Sequence, residues 1–184
     1  MNRLVIVCGP SGVGKGTVVA KVCERMGAHL SVSYTSREPR EGELDGREYH
    51  FITPEEFEEM IGRNEFVEWA KFPPEDQQGD YYGTAKAEVE RSGTTFLEIE
   101  IQGARRMQLL YPNATIVFIV PPSMEALRRR LEGRGDVSPE KMESRLARAT
   151  VEMLEGPLLT GHVIVNEDGE EGLQRAVDQL VSLL

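Results

Sequence analysis

A glycine-rich segment near the N-terminus lies between an apolar run and a helical pattern, and it narrows the possible folds of this chain more than any other segment. Residues 4–8 are all apolar, as in a strand that is buried on both faces of a parallel sheet. The next seven residues fit the pattern G-x-x-x-x-G-K: Gly9, Pro10, Ser11, Gly12, Val13, Gly14 and Lys15. The glycines let backbone N–H groups converge on a phosphate, a helix N-terminus adds a favourable dipole, and the lysine supplies a positive charge. The segment therefore predicts a phosphate-binding loop ahead of a helix that runs to about Met26.

The loop departs from the usual pattern at one position. A hydroxyl residue is expected directly after the lysine, where it would bind magnesium, but this chain has Gly16 there and Thr17 one residue later. One residue turns a helix by roughly 100°, so Thr17 is not expected to replace the missing hydroxyl. We therefore predict that magnesium is held mainly by phosphate oxygens and water, with no certain protein ligand.

The rest of the chain alternates between strand and helix patterns. Apolar runs predict further strands at residues 94–99, 114–120 and 162–165. Helical patterns lie between or after them, at residues 102–110, 124–132, 139–155 and 170–184. Strands that alternate with helices predict an α/β fold in which helices cover both faces of a parallel sheet.

Two segments interrupt this alternation. Residues 33–84 contain short polar strands, several Gly and Pro residues and one amphipathic helix at about residues 54–61, which predicts a small insert on the core. Within it, residues 73–80 are expected to form a surface loop. Residues 128–148 are dense in arginine and contain Gly133-Arg134-Gly135 between two helical patterns, which favours a hinged flap.

Composition excludes several classes of function. The chain has 184 residues, 40% hydrophobic and 28% charged, which fits a single globular domain. A net charge of −10 argues against a nucleic-acid partner or an anionic membrane surface, and no run approaches the ~18 apolar residues of a membrane span. With only Cys8 and Cys23, a disulfide framework or zinc site is not expected, and a cytoplasmic location fits.

Downstream of the loop, several short motifs follow one another in order. They are Ser33, Arg37, Arg40, Glu43, Gly46, Tyr49 and Phe51, then Phe66-Val67-Glu68-Trp69-Ala70, Tyr81-Tyr82-Gly83-Thr84, Ile101-Gln102-Gly103, Pro121-Pro122-Ser123, Arg130-x-x-Gly133-Arg134-Gly135, Arg145-Leu146 and Val163-Ile164-Val165-Asn166. With the phosphate loop, they make the chain resemble the guanylate kinase family over essentially its whole length.

The resemblance implies an α/β P-loop kinase with a parallel sheet covered by helices on both faces, a small mixed α/β GMP-binding insert and a helical lid. It implies one domain, residues 1–184, with a core of residues 1–32, 85–123 and 156–184, an insert of residues 33–84 and a lid of residues 124–155.

The resemblance also assigns residues to the acceptor nucleotide, GMP. Those expected to hold its phosphate are Arg37, Arg40, Tyr49 and Tyr82, and those expected to recognise guanine are Glu68, Ser33 and Thr84. Guanine presents an N1–H and an amino group side by side, which one carboxylate can accept together. Without the resemblance, these residues would be interpreted as a solvated hairpin and a strand edge. Glu43 is expected to support Arg37, Arg40 or the substrate indirectly.

Two carboxylates depart from the family pattern. Glu98 and Glu100 stand where the family carries Asp-x-Asp, and each is one methylene longer. Either could orient magnesium or the acceptor, and both are assigned to the GMP site.

The donor nucleotide, ATP, is expected on the other side of the transferring phosphate. The resemblance implies that residues 9–17 form its loop, that Arg130, Arg134 and Arg145 close over the phosphate, and that Asn166 lies beside the adenine. Lys15, Arg37, Arg134 and Arg145 are the expected catalytic residues. The neighbouring Arg128, Arg129 and Arg148 are interpreted as a solvated helix face.

The implied reaction is ATP + GMP ⇌ ADP + GDP, with Mg²⁺ as cofactor and the two nucleotides as the partners. Two alternatives stay open. The run Gly14-Lys15-Gly16-Thr17 looks like the loop of adenylate kinases, so AMP could be the acceptor. Guanylate-kinase-like domains also serve as non-catalytic peptide-binding modules, although such modules typically lack a working phosphate loop. Nothing in the sequence indicates the oligomeric state.

Overall fold

A computed structural model describes residues 2–72, 79–133 and 139–184. The strands are β1 (Asn2–Cys8), β2 (His29–Leu30), β3 (Tyr34–Thr35), β4 (His50–Phe51), β5 (Phe66–Phe72), β6 (Asp80–Ala85), β7 (Gly93–Glu98), β8 (Thr115–Val120) and β9 (Val163–Val165). The helices are α1 (Lys15–Met26), α2 (Pro54–Gly62), α3 (Lys86–Val89), α4 (Ile101–Leu110), α5 (Met124–Glu132), α6 (Pro139–Leu159) and α7 (Gly169–Ser182). Of the predicted surface loop, residues 73–78 lie outside the described residues, and so do residues 134–138 of the predicted flap.

The core is a five-stranded sheet in the order β2-β7-β1-β8-β9. All four of its strand pairings are parallel. Because side chains alternate along a strand, Val5 and Val7 pack into one hydrophobic cluster with helices α1, α5 and α7, while Ile6 and Cys8 pack into a second cluster with α4. Both faces are therefore covered, which confirms the predicted α/β fold with a parallel sheet.

A second sheet forms from the segment after β2. Its order is β4-β3-β6-β5, with β6 antiparallel to both of its neighbours and β3 parallel to β4. Helix α2 covers it through Phe57, which is fully buried and stacks on Phe66 with ring centroids 4.3 Å apart. A capping box formed by Thr53 and Glu56 begins α2, with Pro54 in its first turn, as the sequence pattern favours.

The structure adds two elements to those predicted and extends a third. Strand β2 and helix α3 were not predicted, since two and four residues are too short to carry a periodic signal. Helix α6 was predicted to end at residue 155 but continues to Leu159. It passes Pro157, which has no N–H to donate to the preceding turn. Gly156 lets this part of the helix lie directly against the ring of Phe118 in the sheet.

We expect Gly156→Ala to destabilise the protein by about 1–3 kcal/mol, the usual cost of overpacking a core. An added Cβ would overlap the ring of Phe118, and that ring is fully buried, so it has little room to move. Urea unfolding followed by circular dichroism measures the difference. Gly62→Ala in helix α2 is the matched control, because nothing lies within 4 Å of the Cβ position there. Equal losses in the two variants would contradict the prediction.

Within the described residues, every helix is too short or too polar to cross a bilayer.

Candidate active site

The glycine-rich loop lies at the carboxyl end of β1, the central strand of the core sheet. Ligands of open parallel sheets bind at this edge. Gly9 has a φ of +147°, and a Cβ there would overlap the carbonyl oxygen of Ile119. Gly14, the N-cap of α1, has a φ of +91°. Only glycine is compatible with such positions, so the loop brings its backbone N–H groups and the start of α1 to one point, as an anion site requires.

The Lys15 ammonium group is held at the mouth of this loop. Its Nζ donates to the carbonyls of Gly9, at 2.9 Å, and Pro10, at 3.2 Å. It also lies 4.0 Å from Glu98 Oε1. The side chain is only 12% exposed, so a positive charge is positioned in advance beside the place where the loop would bind a phosphate.

Gly16 and Thr17 face different surroundings. A Cβ at Gly16 would lie 3.0 Å from Glu98 Oε2, so this position faces the carboxylate at the end of β7. Thr17 instead lines a pocket together with Gly14 and Asn166. Thr17 therefore lies on a different side of α1 from Gly16.

The far wall of that pocket is built by Arg130 and Asn166. Arg130 donates to the backbone carbonyls of Val13, at 3.0 Å, and Asn166, at 2.8 Å. Asn166 Nδ2 also donates to Val13, at 2.9 Å. The structure thus brings both residues to the phosphate loop. The buried Oδ1 of Asn166 has no hydrogen-bond partner among the described residues.

Asp168, which sequence analysis missed, anchors this wall. Its Oδ1 accepts from Arg130 Nη2 at 2.6 Å, and its Oδ2 accepts from Arg129 Nη2 at 3.1 Å. The hydrogen bond from Arg130 lowers the pKa of Asp168 below its ordinary value. The two residues after Asn166 are acidic, which is the signal that could have indicated a partner for the flap arginines.

The residues expected to hold the acceptor phosphate lie close together. Glu43 accepts from Arg37 Nη2 through both oxygens, at 3.0 and 2.9 Å, and from the Arg40 backbone N–H at 2.8 Å. The guanidinium carbon of Arg37 lies 5.7 Å from the ring centroid of Tyr49, and the rings of Tyr49 and Tyr82 are 5.9 Å apart. Glu43 therefore contacts both arginines, two of the three supporting roles expected for it.

Neighbouring groups determine the protonation of two side chains in this cluster, Glu43 and Tyr49. Burial alone would raise the pKa of Glu43, but the hydrogen bonds from Arg40 and Arg37 lower it below its ordinary value. Burial raises the pKa of the Tyr49 phenol to about 12, with a further contribution from the negative charge of Glu98. At neutral pH, Tyr49 therefore remains a hydrogen-bond donor.

The residues expected to recognise guanine include a buried carboxylate. Glu68 and Thr84 are register partners on β5 and β6, and Thr84 Oγ1 donates to Glu68 Oε1 at 2.9 Å. Arg106 Nη2 on α4 donates to Glu68 Oε2 at 3.3 Å. Burial raises the pKa of Glu68 above its ordinary value, although these two hydrogen bonds lower it. Ser33 is half-buried, and its backbone carbonyl accepts from the N–H of His50.

Arg106 was missed by sequence analysis. It follows the Ile101-Gln102-Gly103 motif on the same helix, one turn after Gly103. That spacing places both residues on one face of α4 and is the signal that could have found Arg106.

Glu98 and Glu100 have different environments. Glu98 ends β7 and lies beside Lys15. Glu100 is the N-cap of α4, and its carboxylate accepts from the N–H groups of Gln102, at 2.8 Å, and Gly103, at 2.5 Å. Among the residues that the structure describes, no group of three or more His, Cys, Asp or Glu side chains could hold a metal ion.

Of the flap arginines, Arg134 lies outside the described residues and Arg145 lies on α6. The Nη1 atom of Arg145 is buried and has no hydrogen-bond partner within the described ranges. The neighbouring arginines are exposed, as expected of a solvated helix face: the exposed fraction of the side chain is 44% for Arg128, 58% for Arg129 and 47% for Arg148. They pair with Glu143, at 2.9 Å, with Asp168 and with Glu152, at 2.8 Å, respectively.

Known proteins resemble this chain over nearly its whole length. The family model described as guanylate kinase matches residues 1–182. A guanylate kinase from Synechocystis sp. is 43% identical over 182 residues, which cover 96% of this chain and 92% of the relative. A guanylate kinase from Symbiobacterium thermophilum is 46% identical over 186 residues, which cover 98% of this chain and 83% of the relative.

A solved structure agrees with these matches. The crystal structure of guanylate kinase from Anaplasma phagocytophilum has a TM-score of 0.74 and 31% sequence identity, and the match covers 98% of this chain and 86% of that one. The resemblance predicted from the motifs is thereby confirmed. The chain belongs to the guanylate kinase family.

Proposed function

We propose that this chain catalyses ATP + GMP ⇌ ADP + GDP, with Mg²⁺ as its cofactor. The choice of acceptor rests on one observation, the buried carboxylate of Glu68. Thr84 donates a hydrogen bond to one of its oxygens, and Arg106 donates to the other. An ionised carboxylate can accept from the N1–H and the amino group of guanine together, whereas adenine offers no such pair of donors. Family membership supports the same assignment.

The acceptor phosphate would bind to Arg37, Arg40, Tyr49 and Tyr82. Two guanidinium groups and two phenol donors match the charge and the oxygens of a phosphate dianion. Glu43 would hold Arg37 in position through its paired hydrogen bonds. We assign Ser33 to the guanine end, next to Glu68 and Thr84.

The transfer step requires no general base, because the attacking GMP phosphate is already ionised. Catalysis would come from in-line positioning and from neutralising charge on the moving phosphoryl group. Lys15 and the N–H groups of residues 9–17 would hold the donor phosphates. Arg145 is suited to the moving group because its buried Nη1 has no hydrogen-bond partner among the described residues, and we assign Arg134 to the same task. Arg130 and Asn166 would border the rest of ATP.

Glu98 and its surroundings fit a magnesium ion that arrives with ATP. When bound, Mg²⁺ would neutralise charge on the donor phosphates. The side chain of Glu98 is 36% exposed and lies beside Lys15. Its carboxylate faces the position that a Cβ at residue 16 would occupy. It would accept hydrogen bonds from water on the metal, which suits an ion that gives up water reluctantly. We leave Glu100 to the acceptor site, because it caps α4 beside Arg106.

We also propose that residues 33–84 act as an acceptor-binding insert and residues 124–155 as a lid on one core. This core would comprise residues 1–32, 85–123 and 156–184. The second sheet and α2 support the first division, since they come from one continuous stretch of chain. We propose a cytoplasmic location, which two buried, free cysteines, Cys8 and Cys23, support.

A coupled assay for ADP release tests the proposed function. The assay is run with ATP and Mg²⁺ and with GMP, AMP or no acceptor. We expect rapid release with GMP and slow release without an acceptor, because a closed site keeps water from the phosphoryl group. Release that does not depend on GMP would contradict the proposal, and binding of GMP without turnover would indicate a non-catalytic module.

The position of Gly16 leads to a separate prediction about the metal. Gly16→Ser is expected to remain active and to keep or reduce its Mg²⁺ requirement, because its Cβ would meet only the flexible end of Glu98. Thr17→Ala is expected to keep the wild-type Mg²⁺ requirement, because Thr17 lines the opposite pocket. Activity titrated against Mg²⁺ measures both. If Thr17→Ala needs much more Mg²⁺ while Gly16→Ser changes nothing, Thr17 is the ligand and the water-mediated account is wrong.

A further inference from the structure

We infer that Arg106 positions the Glu68 carboxylate for guanine recognition and thereby sets the acceptor specificity of this chain. The inference rests on the proposed phosphorylation of GMP. It concerns a residue on α4 of the core, whereas Glu68 lies on β5 of the second sheet.

The two oxygens of Glu68 have different partners. Oε1 accepts from the neutral hydroxyl of Thr84 at 2.9 Å, and Oε2 accepts from Arg106 Nη2 at 3.3 Å. The same Nη2 lies 3.8 Å from Glu100 Oε1, and Glu100 is fixed as the N-cap of α4. Arg106 is therefore held between two carboxylates, and one of them is the proposed guanine receptor.

The helix backbone makes this contact possible. A Cβ at Gly103 would lie 3.1 Å from Glu68 Oε2, so α4 approaches the carboxylate closely, with no side chain of Gly103 between them. Arg106 lies one turn later on that face and reaches back to the same oxygen. Glu68 thus lies in a narrow space between β6 and α4, and its orientation depends on both walls.

The positive charge of Arg106 affects the pKa of Glu68, which an uncharged side chain of similar size would not do. The groups that face Glu68 are the neutral Thr84 on β6, the negative Glu100 on α4 and the positive Arg106. Burial and Glu100 raise the pKa of Glu68, while the hydrogen bonds from Thr84 and Arg106 and the charge of Arg106 lower it. Removing Arg106 would therefore raise that pKa further.

The direction of the pH effect follows from the chemistry of guanine. A protonated Glu68 would lose acceptor capacity and could not accept from both guanine donors. Recognition is therefore lost as the pH falls through the pKa of Glu68. Without Arg106, the loss would begin at a higher pH, and the acid limb of kcat/KM for GMP would move upward.

Three variants test the inference. Arg106→Met removes the charge and keeps much of the length, while Arg106→Lys keeps the charge. Arg105→Met is the matched control: Arg105 is the preceding residue on α4, has the same 43% side-chain exposure, and pairs with Glu155 instead of Glu68. Steady-state kinetics are measured between about pH 5 and pH 9 with GMP and with IMP as acceptors. IMP keeps the N1–H and lacks the amino group, so the ratio of the two reports how well Glu68 accepts both donors.

For Arg106→Met, we expect kcat/KM for GMP to fall by about tenfold or more, the usual effect of losing a hydrogen bond to a charged group. We also expect a smaller GMP-to-IMP ratio, an acid limb at higher pH and an unchanged KM for ATP. Arg106→Lys should restore the position of the acid limb, and Arg105→Met should match the wild type in all four readouts.

Two results would overturn the inference while the proposed function stands. In the first, the wild type phosphorylates GMP and Arg106→Met has the same pH profile and acceptor ratio as Arg105→Met. In the second, Arg106→Lys and Arg106→Met show the same shift of the acid limb relative to the wild type. The positive charge of Arg106 would then not be the cause of the shift. A wild type that does not phosphorylate GMP would instead overturn the proposed function, and the inference with it.

Discussion

Lys15→Ala is expected to lower kcat for GMP phosphorylation by about 10²–10³, the typical effect of removing one preorganised charge contact at a reacting centre. The ammonium group is positioned before any substrate binds, because two loop carbonyls accept its hydrogen bonds and little of the side chain is exposed. Alanine would leave the loop backbone intact but would remove the charge that stabilises the moving phosphoryl group. The loss should therefore appear mainly in kcat.

Initial-rate kinetics at saturating ATP and GMP measure this effect. Lys21→Ala is a suitable control, because Lys21 lies on the same helix, is 41% exposed and pairs with Glu170 at the surface, at 3.0 Å. The control should retain wild-type kcat. A decrease of less than about tenfold for Lys15→Ala would remove Lys15 from the catalytic assignment.

We expect kcat/KM for GMP to exceed kcat/KM for AMP by at least about a hundredfold. A site in which the wrong substrate leaves a buried polar group unpaired can discriminate between two substrates by ~10⁴. With AMP, the buried Glu68 carboxylate would lose its water without gaining two donors from the base, and an unsatisfied buried charge is costly. Glu68→Gln should remove most of this preference, since an amide oxygen accepts more weakly and its NH₂ group opposes the guanine donors.

Competition experiments with both acceptors give the ratio directly. Glu58→Gln serves as the control, because the Glu58 carboxylate lies on α2 and accepts from the Tyr81 hydroxyl at the exposed surface, at 2.8 Å. The control should keep the wild-type ratio. Comparable turnover of AMP and GMP by the wild type would exclude Glu68 as the guanine receptor and would favour an AMP kinase.

Local patterns along the chain were enough to predict the phosphate loop, the parallel α/β core and the family. These features are local: a buried strand, a run of glycines and a helix start follow one another along the chain, so their geometry is encoded by neighbouring residues. For the same reason, α1 and α5 end where their patterns end, at Met26 and Glu132. The motifs of the second sheet identified candidate residues but not how those residues are held.

Contacts between distant segments could be identified only once the chain was folded. Arg106 reaches Glu68 because α4 packs against β5, and no local pattern encodes that approach. Glu98 and Glu100 look equivalent in the sequence, yet one faces Lys15 and the other caps α4, because the chain turns from strand to helix between them. Helix α6 likewise passes the position where its pattern stops, since the neighbour of Gly156 is a ring on β8. In each case the deciding interaction joins residues far apart in the chain or on opposite sides of a turn, and packing of the core brings them together.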